Sequence, residues 1–376
     1  MDTSDPHIVF DKHGHCNHCK NSIRAIKHYE KNSSQKVDQL NGIVQEIKQS
    51  GIGKEYDCLI GLSGGVDSTY MAYVVKRVLG LRPLAVHLDN GWNSKLAVRN
   101  IKNIVKHLDI DLYTHVIDWE EFKEMQRAYL RASVIDIEAL TDHAIIATMF
   151  KTAIENDIKF IIKGLNPSTE NILPKSWAFN KGDLSNIQDI VKKHGNVEIK
   201  TFPTLSEKEK RIHAGKLRSV ILYEYIDFDL TEAMKTITEE LKWVPYGGKH
   251  YESIWTRFYQ GYILPRKFGV DKRRAHYSSL ICLNKLDRNE ALDKLNHPTY
   301  DNQLMKDDLA YVAKKFDMTE DEFQEILENP PKSHFDFKTD FKSFVLKRVM
   351  VPTNLIYKVY KYLIRTTSFA HKYQHY

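Results

Sequence analysis

A chain of 376 residues that is 42% hydrophobic and 28% charged has the material for one large domain or two smaller ones around a sizeable core. Its 55 Lys and Arg against 49 Asp and Glu leave a net charge of +6, which suits phosphorylated substrates but falls short of a dedicated nucleic-acid binder, so no nucleic-acid partner is expected. No apolar run approaches a membrane span, the opening MDTSDPHIVF lacks the order of a signal peptide, and four cysteines cannot scaffold so long a chain; a cytoplasmic protein with reduced thiols is expected.

Residues 1–20 are turn-rich and carry many His and Cys. Residues 21–50 read as one polar helix with apolar positions at Ile23, Ile26, Val37, Leu40, Val44 and Ile47, closed by the linker GIGK. An alternation follows: the strand YDCLIGL, a helix from Ser68 to Leu79, the strand PLAVHLD, a helix near Ser94 to Leu108, the strand LYTHVID, helices spanning Trp119 to Asn156, and the strand KFIIKG. Strands alternating with helices imply an α/β fold, a doubly wound parallel sheet with helices on both faces. Beyond about Thr201 the β signals thin out and the chain turns aromatic-rich and mainly helical. The expected organisation is therefore an N-terminal segment and helix over 1–50, a nucleotide-binding α/β domain over 51–205, and a mainly helical region over 206–376. Thr319 with Glu322 forms a capping-box pattern that opens a helix burying Phe323, Ile326 and Leu327, and Pro330 and Pro331 stop it. Leu355, Ile356, Val359, Tyr360, Leu363 and Ile364 recur at helical spacing beside Lys358, Lys361 and Arg365. They read first as a terminal helix docked on its own core, with a partner subunit or an anionic membrane as the alternatives.

The chemistry concentrates in LIGLSGGVDST, residues 59–69. If Tyr56 to Leu62 is the first strand, Ser63, Gly64, Gly65, Val66, Asp67 and Ser68 sit at its carboxyl end, where ligands bind in open α/β sheets. The glycines let backbone amides approach phosphate oxygens, the next helix adds its positive end, and the serine hydroxyls donate. Asp67 would repel phosphate unless Mg²⁺ lies between them, so the loop implies a metal-bound polyphosphate. The lysine of a Walker A loop is absent.

SGGVDS resembles the PP-loop of the ATP pyrophosphatases, which include asparagine, GMP and NAD synthetases and tRNA-thiolating enzymes. The resemblance implies cleavage of ATP between its α and β phosphates, pyrophosphate held by the loop, and AMP transferred to a substrate oxygen. Asp89, ending PLAVHLD, would face the ribose or adenine, or else serve as a turn residue. In IIKGLNPSTE, Gly164 ends a strand and Glu170 follows, similar to a stretch of NAD synthetases whose Glu is associated with Mg²⁺; the plain alternative is a helix-start carboxylate. MDTSDPHIVFDKHGHCNHC and WVPYGGKHYESIWTRFYQGYILPRKFGVDKRRAHYSSLICL resemble stretches of N-acetyl sugar amidotransferases of lipopolysaccharide and flagellin-glycan (pseudaminic acid) biosynthesis. That family implies an acetamido sugar, free or nucleotide-linked, whose amide oxygen is adenylylated and replaced by ammonia to leave an acetamidino group. With no glutaminase arrangement of Cys, His and Glu visible, ammonia is expected from a separate glutaminase subunit like that of imidazole glycerol phosphate synthase.

From Trp243 to Ser279, Lys249, Arg257, Lys267, Lys272, Arg273 and Arg274 would neutralise phosphate, His250 and His276 would shuttle protons, and Tyr246, Tyr251, Trp255 and Tyr259 would stack on a sugar or base, with Gly247 and Gly248 allowing close approach. The bland reading is a charged face over core aromatics. Catalytic roles are expected of Asp67, Lys249 and Arg273, and substrate contact of Tyr246, Gly247, Gly248, Lys249, His250, Arg257 and His276; Ser253 and Tyr259 are weaker candidates. Cys16 and Cys19 supply half of a tetrahedral zinc site, so zinc is a candidate only if other ligands complete it. In the family a first CxxC precedes this pair, so the chain is expected either to start late or to finish the site with His7, His13, His15 or His18. Cys58 and Cys282 read as core; sulfur transfer by Cys282 would need a partner thiol. The competing functions are a tRNA-thiolating PP-loop enzyme and a nucleotide sensor without turnover.

Overall fold

The first strand, β1 (Cys58–Gly61), sends alternate side chains into two different cores, as the two-residue period of a strand requires. Cys58 and Ile60 join Ala85, Phe160, Ile162 and Val220 on one face, while Leu59 joins Leu84, Val86 and Ile161 on the other. These come from β2 (Pro83–Asp89), β4 (Phe160–Lys163) and β5 (Arg218–Ile221), which with β3 (Asp111–Val116) form a parallel sheet in the order β3-β2-β1-β4-β5. Ile60 lies opposite Ala85 on one side and Ile162 on the other. The computed structural model describes residues 1–31, 33–166, 170–248 and 250–340.

The helices cover the sheet as an α/β alternation predicts. On the Ile60 face lie α2 (Ser33–Ser50), α3 (Val66–Tyr73), α4 (Lys95–Leu108) and the helix Leu230–Leu241, which contribute Ile47, Met71, Ile104 and Ile237. Under the Leu59 face, α6 (Ala139–Glu155) supplies Met149 and Ala153. The chain grows from β1 through β2 to β3, then returns to add β4 and β5 on the other side. Strand order therefore reverses beside β1, and the crevice outside the carboxyl ends of β1 and β4 is the position where such sheets bind ligands.

The expected helical run is helical on both sides of residue 32: α1 (Asn17–Lys31) packs on the helix Lys272–Cys282, and α2 covers the sheet. Ile23 and Val37, expected as apolar positions of the run, are 39% and 62% exposed. One expectation changes. A fifth strand lies past Thr201: β5 is only four residues long and leaves Arg218 and Ser219 exposed at the sheet edge, so it carries too little apolar pattern to stand out.

A third, aromatic core sits on α5 (Trp119–Ala132), where Phe122 and Tyr129 pack with Trp92, Trp255, Phe258, Phe316 and Phe323. The expected capping box is present, with Thr319 and Glu322 opening the helix Glu320–Glu328 and Phe323 fully buried. The stripe from Leu355 to Ile364 lies outside the described residues. Among the described residues no helix is long and apolar enough to cross a membrane.

Candidate nucleotide and substrate site

At the carboxyl end of β1 the loop closes on itself through its hydroxyls. Ser63 Oγ and Ser68 Oγ stand 3.0 Å apart, the Gly65 N–H donates to Ser63 Oγ, and Thr69 Oγ1 donates to the Gly65 carbonyl at 2.6 Å. Gly64 has φ +82°, and a Cβ there would stand 3.0 Å from the Ala97 carbonyl of α4. A side chain is thus excluded both by conformation and by space, which explains the first glycine. Gly65 opens α3, so Val66, Asp67 and Ser68 form that helix's first turn at its positive end.

A roof from the other half of the chain lies over this loop. Trp243 Nε1 donates to the Gly64 carbonyl at 2.9 Å, and Tyr246 Oη donates to the same carbonyl at 3.3 Å. A Cβ on Gly65 would stand 3.2 Å from Tyr246 Oη and 3.7 Å from Glu252 Oε1, so the second glycine leaves open the space between loop and roof. Tyr246 also hydrogen-bonds Glu252, and burial pushes its phenol well above the ordinary range. His250, at φ +65°, places Nδ1 3.6 Å from Glu252 Oε1. The roof is clamped to the segment after β2: Asn93 bridges Ser253, and the Ser94 N–H donates to the Glu252 carbonyl at 2.8 Å. Tyr246, Gly247, Gly248 and His250 therefore belong to the segment that covers the loop; Lys249 lies outside the described residues.

The neighbouring strand ends complete the crevice. Asp89 Oδ1 accepts from the Gly91 N–H and from Asn93 Nδ2, so it shapes the turn that carries the roof's clamp. His87 Nδ1 faces the Leu62 carbonyl, which can only accept; Nδ1 therefore holds the proton and Nε2 accepts from Asn93, and burial lowers the pKa of this neutral ring. On the β4 side, a Cβ on Gly164 would meet Met71 Sδ at 3.3 Å and the Asp67 carbonyl at 3.4 Å. Asn166 Nδ2 donates to Asp67 Oδ1 at 2.8 Å, and the Asn166 carbonyl accepts from the Glu170 N–H. One asparagine thus relates the two candidate Mg²⁺ carboxylates, with Glu170 exposed. Burial lowers Lys163, the last residue of β4, to about 8.

Four of the basic candidates in the C-terminal half, Arg257, Lys267, Arg273 and Arg274, are held in internal contacts. Arg257 makes a two-point pair with Asp308 at 2.6 and 2.8 Å and lies over Tyr251, so its expected substrate contact gives way to a brace between helices. Arg273, expected in catalysis, grips Asp271 and donates to the carbonyls of Lys294, His297 and Pro298. Lys267 caps the carbonyls of Leu327 and Asn329, and Arg274 pairs with Asp2. Trp255 and Tyr259 are core residues, as the bland reading had it. His276 lies on the helix Lys272–Cys282, 6.0 Å from the Tyr277 ring.

The donor sets differ in what they suit. The glycine cradle, helix end and hydroxyls fit a polyphosphate, and Asp67 with neighbouring oxygens fits Mg²⁺ carried on it. Cys16 and Cys19 bring their sulfurs to 3.3 Å, but His18 is tied to Asp5 and no group of three or more metal-type side chains converges to hold an ion among the described residues. These residues do not fit a closed four-ligand zinc site. Cys282 is half-buried, packed against the aromatic core and beside Cys19, whereas Cys58 is fully buried and burial pushes its thiol up. Sequence reasoning missed Trp243, Glu252, Asn93, Asn166 and His87. Only Glu252 and Trp243, beside the YGGKHY stretch, carried a local cue.

Residues 252–350 match the family model described as LPS biosynthesis protein WbpG-like, C-terminal domain, and residues 34–202 match NAD synthase. An uncharacterized protein, MJ1599 of Methanocaldococcus jannaschii, is 33% identical over 94 residues, covering 25% of this chain and 33% of that protein. The glutamine-hydrolyzing GMP synthase of Pyrobaculum aerophilum is 35% identical over 75 residues, 20% of this chain and 14% of that enzyme. The chain thus spans a third or less of the length of these relatives. The solved NMN synthetase from Francisella tularensis aligns over 74% of this chain and 93% of its own at 15% identity, with a TM-score of 0.34.

Proposed function

We propose that this chain, which joins a PP-loop ATP pyrophosphatase domain of the NAD synthase kind to a WbpG-like C-terminal domain, is an ATP-dependent N-acetyl sugar amidotransferase of surface-glycan biosynthesis. The observation that carries the reading is the meeting of the two matched regions: Glu252, the first residue of the C-terminal match, stands over Gly65 in the loop of the N-terminal one. An acetamido oxygen presented from the roof side would then face the α-phosphate.

An amide carbonyl is a poor electrophile, and adenylylating its oxygen creates an imidate from which AMP departs readily when ammonia adds. The enzyme's work is alignment and charge stabilisation. Gly64 and Gly65 admit the phosphates, the first turn of α3 offers its amides to the departing pyrophosphate, and Ser63 and Ser68 exchange their mutual hydrogen bond for bonds to phosphate oxygens. Asp67, oriented by Asn166, would hold Mg²⁺, which would supply neutralisation of the pyrophosphate charge. Ammonia comes from a partner glutaminase.

The test is mass spectrometry of the protein with Mg·ATP, ammonium and a panel of UDP- and CMP-linked acetamido sugars. A sugar product about one mass unit lighter, the difference between O and NH, with AMP and pyrophosphate formed alongside, is expected. ADP and phosphate as products would overturn the assignment. A second reading, tRNA thiolation, has one observation in its favour: the Cys19 thiol lies against Cys282, the partner that sulfur transfer would need. Thiolated or adenylylated tRNA in the same assay, with the sugars unchanged, would establish it instead.

A further inference from the structure

The turn that follows β2 is held from inside and from outside. Within it, Asp89 Oδ1 accepts from the Gly91 N–H at 3.0 Å and from Asn93 Nδ2 at 3.1 Å, while Oδ2 has no hydrogen-bond partner among the described residues. From outside, Lys315, the last residue of the helix Asn302–Lys315, donates through Nζ to the Gly91 carbonyl. Gly91 has φ +78°, and a Cβ there would stand 3.0 Å from the Trp119 ring and 3.4 Å from Lys315 Nζ, so this peptide fits between the two side chains. Lys315 Nζ also lies 4.3 Å from the centre of the Trp119 ring and 4.5 Å from that of Trp92, with Tyr311 at 5.7 Å. An ammonium over indole faces is drawn to both rings.

Asp89 stands beside the PP-loop. His87, two residues back and so on the same side of the strand, meets the Leu62 carbonyl at 2.9 Å, one residue before Ser63. Asn93 Nδ2 ties the pair together, 3.2 Å from His87 Nε2 and 3.1 Å from Asp89 Oδ1. A nucleotide with its phosphates in the Ser63–Ser68 cradle carries its ribose one methylene beyond the α-phosphate, so the sugar stays within short reach of the loop. The unpaired oxygen at the end of β2 is an anionic acceptor, and a ribose hydroxyl is a donor that suits it. Past Gly91 the same turn runs into the clamp of the roof, where the Ile254 N–H donates to the Trp92 carbonyl at 2.9 Å.

We propose that Lys315 is a positioning residue for ATP: holding the Gly91 carbonyl against the Trp92 and Trp119 rings, it fixes the turn in which Asp89 keeps one carboxylate oxygen for a ribose hydroxyl. This rests on the reading of the crevice as the ATP site. An apolar side chain would fill the space between the rings, but only a donor engages the Gly91 carbonyl and only a cation is drawn to two indoles at once. Without that hold the Gly91 peptide is free to turn, Asp89 Oδ1 loses the Gly91 N–H, and the carboxylate loses its orientation. The lysine belongs to the region that matches the WbpG-like C-terminal domain and the carboxylate to the region that matches NAD synthase, so recognition of the nucleoside by one half depends on the other.

The test is calorimetric titration of the full chain, of Lys315→Met, of Asp89→Asn and of the double variant with ATP, 2′-deoxy-ATP, 3′-deoxy-ATP and pyrophosphate, all with Mg²⁺ and without sugar or ammonium. The unaltered protein is expected to bind ATP about tenfold more tightly than at least one deoxy analogue, as one hydrogen bond to a charged group implies. Lys315→Met should lose most of that preference yet bind pyrophosphate as the parent does, and the double variant should be no worse than Asp89→Asn, because Lys315 acts through Asp89. A preference that survives in Lys315→Met, additive losses in the double variant, or equal weakening toward ATP and pyrophosphate, which a merely structural brace would give, would overturn the proposal. So would an unaltered protein that does not distinguish ATP from either analogue; all of these outcomes leave the amidotransferase reading, which turns on products, intact. An unaltered protein that binds neither ATP nor pyrophosphate would overturn both. If Lys315→Met does not fold, Lys315→Gln, which keeps a donor for Gly91 but not the cation, takes its place with the same outcomes.

Discussion

The PP-loop and the arginine braces of the C-terminal half use the same hydrogen-bonding groups in opposite ways. Around Arg257 and Arg273 the donors meet carboxylates or helix-end carbonyls within the protein, and nothing is left for a ligand. In the loop, Ser63 and Ser68 satisfy each other, a bond that an incoming phosphate replaces at little cost, and a glycine keeps the space above them open. The difference teaches that partner saturation, rather than residue type, separates a binding residue from a structural one. Glu138 falls on the unsaturated side of that line although it sits among charged neighbours.

The largest effect should come from the loop. Asp67→Ala removes the carboxylate that Asn166 orients and is expected to lower AMP formation by about 100-fold or more, the usual result of deleting an electrostatic group at developing charge, with thermal stability little changed. Near-normal AMP release from this variant, read by chromatography, would place the chemistry elsewhere. Next comes Arg257→Ala, which strands Asp308, a carboxylate only 6% exposed at its side chain. Breaking a buried pair from one side costs about 3–5 kcal/mol, so the variant should melt well below the parent while the fraction that stays folded keeps its KM. A raised KM at unchanged stability would return Arg257 to the substrate.

Glu138 sharpens the comparison through pH. Its folded pKa of about 7 lies above the ordinary 4.5, so the folded state holds this proton more tightly than the unfolded chain. The sign follows: the favourable contribution is complete below about 4.5 and is lost as pH rises through 7, an effect on the order of 3 kcal/mol. Glu138→Gln cannot ionise. Its melting temperature relative to the parent should therefore rise between pH 5 and pH 8, and a constant offset across that range would show that Glu138 is already ionised in the folded protein.

Legibility from sequence divides along the same line. The sheet could be read because Leu59, Ile60, Val86 and Ile162 alternate within short apolar runs, and the loop because two glycines in that position serve close backbone approach. The cap at Thr319 could be read because its partner, Glu322, is three residues away. What stayed hidden depends on distant pairing. Nothing near Arg273 in sequence says that the carbonyls of Lys294, His297 and Pro298 will surround it, and nothing near Glu138 says that Thr256 will take one of its oxygens and leave the other. The edge strand β5 failed for a different reason, being short and half polar.

Arg273 offers the smallest expected effect and the most discriminating one, since a lone arginine in a basic stretch near a phosphate site invites a catalytic reading. Its guanidinium joins the Asp271 cap of one helix to the carbonyls that end the helix Arg288–Asn296, a position where a cation also meets the negative end of the second helix's dipole. The Arg273 and Asp271 side chains are 22% and 19% exposed, so solvent screens the pair and the loss on Arg273→Met should be only about 1–2 kcal/mol. Activity per folded molecule should not change, in kcat or in KM. If AMP formation instead falls by orders of magnitude at unchanged melting temperature, saturation in the resting fold has misjudged this residue, and the brace must open when substrate binds.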